Sequence, residues 1–120
     1  ELIDFCLAKN QKKILNILND NIFSNEDCII ITRTMLKKAK RLLKLISDFK
    51  INKNLEKTIS NSKPPIFWKE KEITKQQISK WSDNETQELI FEINQTELLL
   101  KKLPVNSINL VTNFLLEKSR

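Results

Sequence analysis

Apolar residues recur at three- and four-residue intervals along most of this chain and almost nowhere alternate, which predicts helices throughout. A first short helix is expected in "ELIDFCLAK". A second is expected from Lys12 to about Asp20, with Ile14, Leu15, Ile17, Leu18 and Ile22 as its apolar stripe and Asn10 as its N-cap. "NDNIFSN" reads as the following turn. Ser24 stands three residues before Asp27, the spacing of a capping box, and opens a long third helix whose inner face is Cys28, Ile31, Met35, Ala39, Leu42 and Ile46. Its β-branched start, "CIIIT", would suit a buried strand. The helical period continues for about five more turns, so helix is preferred.

The pattern decays over residues 48–62 into a connector with one weak turn around Leu55. Pro64 and Pro65 then disfavour helix at Lys63. A helix with a sparse apolar side (Ile73, Ile78, Trp81) is predicted over Lys69–Trp81. Ser82 and Glu85 form an S-x-x-E box opening a sixth helix over Asp83–Lys102, with Leu89, Ile93, Leu100 and Leu103 inward. After "LPVNS" a last helix carries Ile108, Val111 and Leu115. The expected fold is all-α, a compact bundle of about six to seven helices forming one domain over residues 1–120.

Composition narrows the chemistry. The chain has no glycine, where average usage predicts about 8, and no histidine or tyrosine. Phosphate cradles of the P-loop and dinucleotide kinds need backbone without a Cβ beside the ligand, so both are excluded. The usual general base and metal ligand is missing as well. Catalysis is not expected, nor is a cofactor or a metal. Cys6 and Cys28 have no CxxC spacing and read as reduced, small apolar residues, which suits a cytoplasmic setting. No apolar run reaches the roughly 20 residues that a membrane span needs. The chain begins at Glu1 rather than Met, which leads us to expect a fragment of a longer protein lacking its N-terminal domains.

The stretch "KPPIFWKEKEITKQQISKW" gathers a proline pair and both tryptophans. Two tryptophans flanking one helix could form a stacking platform or a ligand cage. The reading preferred here is that Phe67 and Trp81 anchor the two ends of a weakly apolar helix. Trp68 follows Phe67 directly and cannot point inward with it, so Trp68 is a candidate interface residue.

The formal net charge is +6, with the highest basic density in "RTMLKKAKRLLK". Arg33, Lys37, Lys40, Arg41 and Lys44 share one side of the third helix. Such a stripe can follow a phosphate backbone, and a basic helical nucleic-acid-binding domain is the alternative reading of this chain. It can equally be a solvated face. No aromatic residue interrupts the stripe, and Glu85, Glu88 and Glu92 of the sixth helix offer an acidic counter-face. A solvated or subunit-facing role is therefore preferred. Lys-rich, Asn-rich composition of this kind also follows from AT-rich coding, which weakens any inference from charge alone.

Taken together, "PPIFWKEKEITKQQISKW", the Trp-Ser joint, "QTELLLKK" and the closing amphipathic helix resemble the C-terminal portion of the delta subunit of bacterial DNA polymerase III. Upstream, "AKNQKKILNILND" and "ITRTMLKKAKRLL" are similar to the helix pair of that family, and the match is poorest over the connector. The resemblance implies a helical collar domain of the sliding-clamp loader. In that family, such domains hold the subunits in a heteropentameric ring that loads the clamp on primed DNA. It also implies ATPase subunits and a delta-prime-type subunit as partners, with the clamp reached only through an N-terminal part and DNA at most indirectly. Catalysis would belong to other subunits of the holoenzyme. The candidate ring contacts are Phe91, Leu98, Leu110 and Phe114 on the broadly apolar last two helices, with Trp68 as a further candidate interface residue.

Overall fold

The computed structural model describes residues 2–21 and 23–120, and within them helices are joined by short loops, with no strand. The elements are α1 (Leu2–Leu7), α2 (Gln11–Asp20), α3 (Asn25–Asn52), α4 (Leu55–Ser60), α5 (Lys71–Lys80), α6 (Asp83–Lys102) and α7 (Ser107–Lys118). Short 3-10 turns precede α5 (Trp68–Glu70) and α7 (Pro104–Asn106). Glu1 of the first predicted helix and Ile22 of the second stripe lie outside the described residues.

The capping signals act as predicted. The Asn10 side chain accepts from the Lys13 N–H. Ser24 with Asp27 and Ser82 with Glu85 each close a reciprocal box, in which the hydroxyl accepts from the N3 amide and the N3 carboxylate accepts from the cap amide. Each box satisfies two otherwise orphaned donors and places a carboxylate at the positive end of a helix dipole.

The long helix runs further than the pattern indicated. Leu45, Ile46 and Phe49 still face the core, so α3 does not decay at Asp48 but continues to Asn52. It stops where Lys53 turns left-handed (φ 55°) and returns its N–H to the Phe49 carbonyl at 2.8 Å. Glycine usually fills this position. Here the asparagines supply the rest of the turn: Asn52 Oδ1 accepts from the Asn54 amide and the Thr58 hydroxyl, and the Asn54 side chain caps α4. The connector is thus a second short helix with its own caps.

α3 and α6 form an antiparallel pair that spans the molecule. Arg33 meets Glu97 at one end, and Ser47 and Lys50 meet Asp83 at the other. Met35, Ala39 and Leu42 of α3 share one buried core with Leu89, Ile93 and Leu100 of α6. α7 and α1 close that core, and α1 is tied in by long-range polar contacts: Cys6 Sγ donates to the Leu115 carbonyl, and Gln77 Nε2 to the Asp4 carbonyl.

Two packing expectations are corrected. Phe67 is not a core anchor: it is 54% exposed, and Ile66 is the residue that turns inward. Neighbours in the extended run after Pro65 point opposite ways, and the shorter side chain takes the inner place. α5 is held instead by buried Thr74, Gln77 and Ile78. Leu103 and Ile108, predicted inward, are largely exposed because the 3-10 turn between them rotates the chain at the α6–α7 corner.

Candidate functional site

Trp81 is structural. It stands between α5 and α6, half-buried against the core, with its indole N–H donating to the Leu7 carbonyl at 2.7 Å and Lys9 Nζ 4.5 Å above the ring. Trp68 is the opposite case: 68% exposed, with its ring 5.9 Å from that of Phe67 and Lys69 Nζ 5.4 Å from its centroid. The pair therefore forms an aromatic projection outside the core.

The candidate ring contacts divide. Phe91 and Leu98 lie seven residues apart on the outer side of α6, 61% and 57% exposed. Leu110 and Phe114 are half-buried against the chain's own core. The apolar surface continues through Leu99 and then through residues that sequence reasoning had placed in a turn or in the core. Leu103, Val105 and Ile108 follow one another round the α6–α7 corner, and all four are substantially exposed. A shallow hollow of about 270 Å³ between Gln95, Leu98, Leu99 and Lys102 lies within this surface.

The basic stripe also divides. Arg33 is paired with Glu97 at 3.1 Å, and Arg41 lies 3.6 Å from Glu70. Lys38, not singled out from the sequence, bridges Asp4 at 2.7 Å and Glu70 at 3.6 Å. Lys37, Lys40 and Lys44 are exposed and make no ion pair among the described residues. The proposed counter-face is corrected: Glu85 caps α6 and Glu92 pairs with Lys118, so the stripe's acidic partners are Glu70 and Glu97.

The unpaired lysines face a groove of about 520 Å³ between α3 and the segment that includes Ser62, Lys63, Pro64 and Glu70. Six cationic side chains and only two carboxylates, Asp48 and Glu70, line it. One Glu70 oxygen is buried there with no hydrogen-bond partner. A separate hollow of about 280 Å³ near Trp81 has Glu85, Glu88, Glu92 and Glu117 on its walls, partly balanced by Lys9, Lys118 and Arg120.

The cysteines are buried and unpaired. Burial pushes the Cys6 thiol up to about 12, and burial followed by the nearby Asp27 charge raises Cys28. Neither thiol is activated as a nucleophile. Among the described residues no cluster of three or more Cys, Asp and Glu side chains is arranged to hold a metal ion, and no helix is long and apolar enough to cross a membrane. No protein-family model, curated protein or solved structure matches the chain.

Proposed function

We propose that this chain is the helical collar domain of a clamp-loader delta subunit and works as a cytoplasmic assembly module, holding its subunit beside ATPase neighbours in the ring. It performs no catalysis in this reading. The carrying observation is the run of exposed apolar side chains from Phe91 and Leu98 on α6 to Val105 at the α6–α7 corner. α6 gives Leu89, Ile93 and Leu100 to its own core and keeps a second apolar side outward. Such a helix is suited to packing on both sides, and exposed apolar side chains grouped in this way suit an interaction surface. The resemblance of the Pro-aromatic segment, the Trp-Ser joint and "TELLLKK" to the delta family supplies the identity of the neighbours.

Capture of ATPase subunits by the tagged chain from bacterial lysate tests this reading. The Phe91→Asp, Leu98→Asp double variant is expected to lose that capture while melting within a few degrees of the parent. Both side chains are outside the core, so their replacement leaves folding nearly unchanged. Failure of the parent to retain the ATPase subunits, or full retention by the double variant, would refute the proposal.

A further inference from the structure

The groove beside α3 has features that subunit packing does not require. Lys37, Lys40 and Lys44 stand on one side of a single helix with no carboxylate in contact among the described residues, although the same helix pairs Arg33, Lys38 and Arg41. Lys63 reaches the groove from a different segment, the residues before Pro64. A solvated helix face accounts for lysines pointing into open water. It does not account for a fourth lysine brought by tertiary folding to the facing wall of a concave surface.

Like charges held together in a concavity repel, and the low-dielectric walls concentrate their field on whatever enters. A ligand with spaced negative charges removes that repulsion. The spacing can be read from the helix: Lys37 to Lys44 is seven residues, or about 10 Å of rise. In a strand stacked as in a duplex, at about 3.4 Å per phosphate, this length is about three steps and spans about four phosphates.

The aromatic pair extends the argument. Pro64 and Glu70 both line the groove, and Phe67 and Trp68 lie on the five-residue stretch between them. The segment that forms the wall therefore carries two exposed rings within a few residues of the cations. From the sequence, no aromatic residue accompanies the basic stripe. In the folded chain two of them stand on the segment that supplies the facing wall.

We infer that the groove between α3 and residues 62–70 is a binding site for a run of linked phosphates, held by Lys37, Lys40, Lys44 and Lys63. The phosphates are those of a single-stranded nucleic acid or of a free oligophosphate. Arg41, Lys38 and Glu70 are the structural floor, committed to one another and to Asp4. The rings of Phe67 and Trp68 offer stacking faces to bases when the phosphates belong to a strand. This site is separate from the α6–α7 surface and stands or falls independently of the assembly reading.

The test uses the chain with a fluorescent 12-mer of deoxythymidylate, its anisotropy followed over several salt concentrations. Sodium tripolyphosphate at matched ionic strength is the second probe. Four phosphate contacts predict a slope of log K against log[salt] of about −3 for a single strand. The Lys37→Gln, Lys40→Gln, Lys44→Gln triple variant is expected to lose at least about tenfold in affinity at low salt, with the slope shallower by about two. These lysines are outside the core, and unchanged helical circular dichroism confirms that the variant folds. A control pair on α2, Lys12→Gln with Lys13→Gln, is expected to retain the parent's affinity.

Trp68→Ala separates the two sources. Weaker oligonucleotide binding with unchanged tripolyphosphate binding assigns the site to a nucleic-acid strand. Equal binding of both probes by parent and Trp68→Ala assigns it to free oligophosphate. Absence of binding to either probe overturns the inference. So does a triple variant that keeps the parent's affinity and salt slope.

Discussion

Replacing Trp81 tests whether the joint between α5 and α6 is held by packing or by its single hydrogen bond. The indole N–H donates to the Leu7 carbonyl at 2.7 Å, the only partner of that carbonyl among the described contacts, where α1 has ended and Lys9 has turned left-handed. Trp81→Phe keeps most of the ring area and the surface beneath Lys9 but removes the donor. The net value of the bond is about 1 kcal/mol, and a half-buried carbonyl left without a partner adds about another 1 kcal/mol. Trp81→Ala also forfeits the ring, for a total of about 3 to 4 kcal/mol in a half-buried position, and loses the cation–π contact with Lys9. For a chain of this size about 4 °C accompanies each kcal/mol. Trp81→Phe should therefore melt about 8 °C below the parent, and Trp81→Ala about twice as far. Thermal unfolding followed by circular dichroism at 222 nm measures the melting shifts, and urea unfolding the free energies, with an unchanged m-value as the check that the denatured state is comparable. A Trp81→Phe protein within about 0.5 kcal/mol of the parent would refute the hydrogen-bond argument. An alanine variant no worse than the phenylalanine one would refute the packing argument.

Ser82→Ala should cost about 1 kcal/mol by opening the capping box of α6. Its partner Glu85 is held below the usual carboxylate range, chiefly by the Ser82 backbone amide and then by its hydroxyl. The box therefore contributes fully above the unfolded carboxylate pKa and fades as pH falls through the lower folded one, so the Ser82→Ala deficit should shrink in acid. A deficit independent of pH between neutrality and about pH 3 would count against the reciprocal geometry. Lys53→Gly removes a Cβ from a left-handed position and should stabilise the chain by about 0.5 kcal/mol, the relief of strain outweighing the added freedom of the unfolded chain. A destabilised variant in chemical denaturation would contradict this. Cys6, pushed up to about 12, and Cys28, also raised, should resist iodoacetamide at pH 8 in the folded chain and react fully in denaturant. Rapid stoichiometric alkylation of the native protein would show that the thiols are not buried as described. Gln77→Ala should lose about 1 kcal/mol by removing the hydrogen bond its buried side chain gives to the Asp4 carbonyl, which keeps its bond from the Ala8 N–H, and a neutral effect on urea stability would contradict this.

Local rules carried much of the fold. Ser24, Asn10 and Ser82 each act on the amide three residues on, so their boundaries can be read from the chain alone, and α6 begins and ends where predicted. The inner faces of α3 and α6 follow from the helical period, because a side chain's direction there depends only on its position along its own helix. The period misled at the ends: Phe49 extends α3 beyond Asp48, while Leu103 and Ile108 are turned outward by a 3-10 corner with no signature beyond Pro104.

What residues far apart do together required the folded chain. Nothing near Lys37 announces Lys63, because that wall exists only once Ser62, Lys63, Pro64 and Glu70 lie across from α3. Arg33 and Arg41 look equivalent to Lys37 and Lys44 in the sequence. Only packing assigns them carboxylates, from Glu97 and Glu70, and leaves the lysines without any. The all-helical character, the caps and most inner faces are legible in the chain's local pattern, since each depends on interactions within a few residues. Tertiary structure decided which charges are neutralised and which apolar side chains remain outside, since burial and charge pairing depend on neighbours that only the folded backbone brings near.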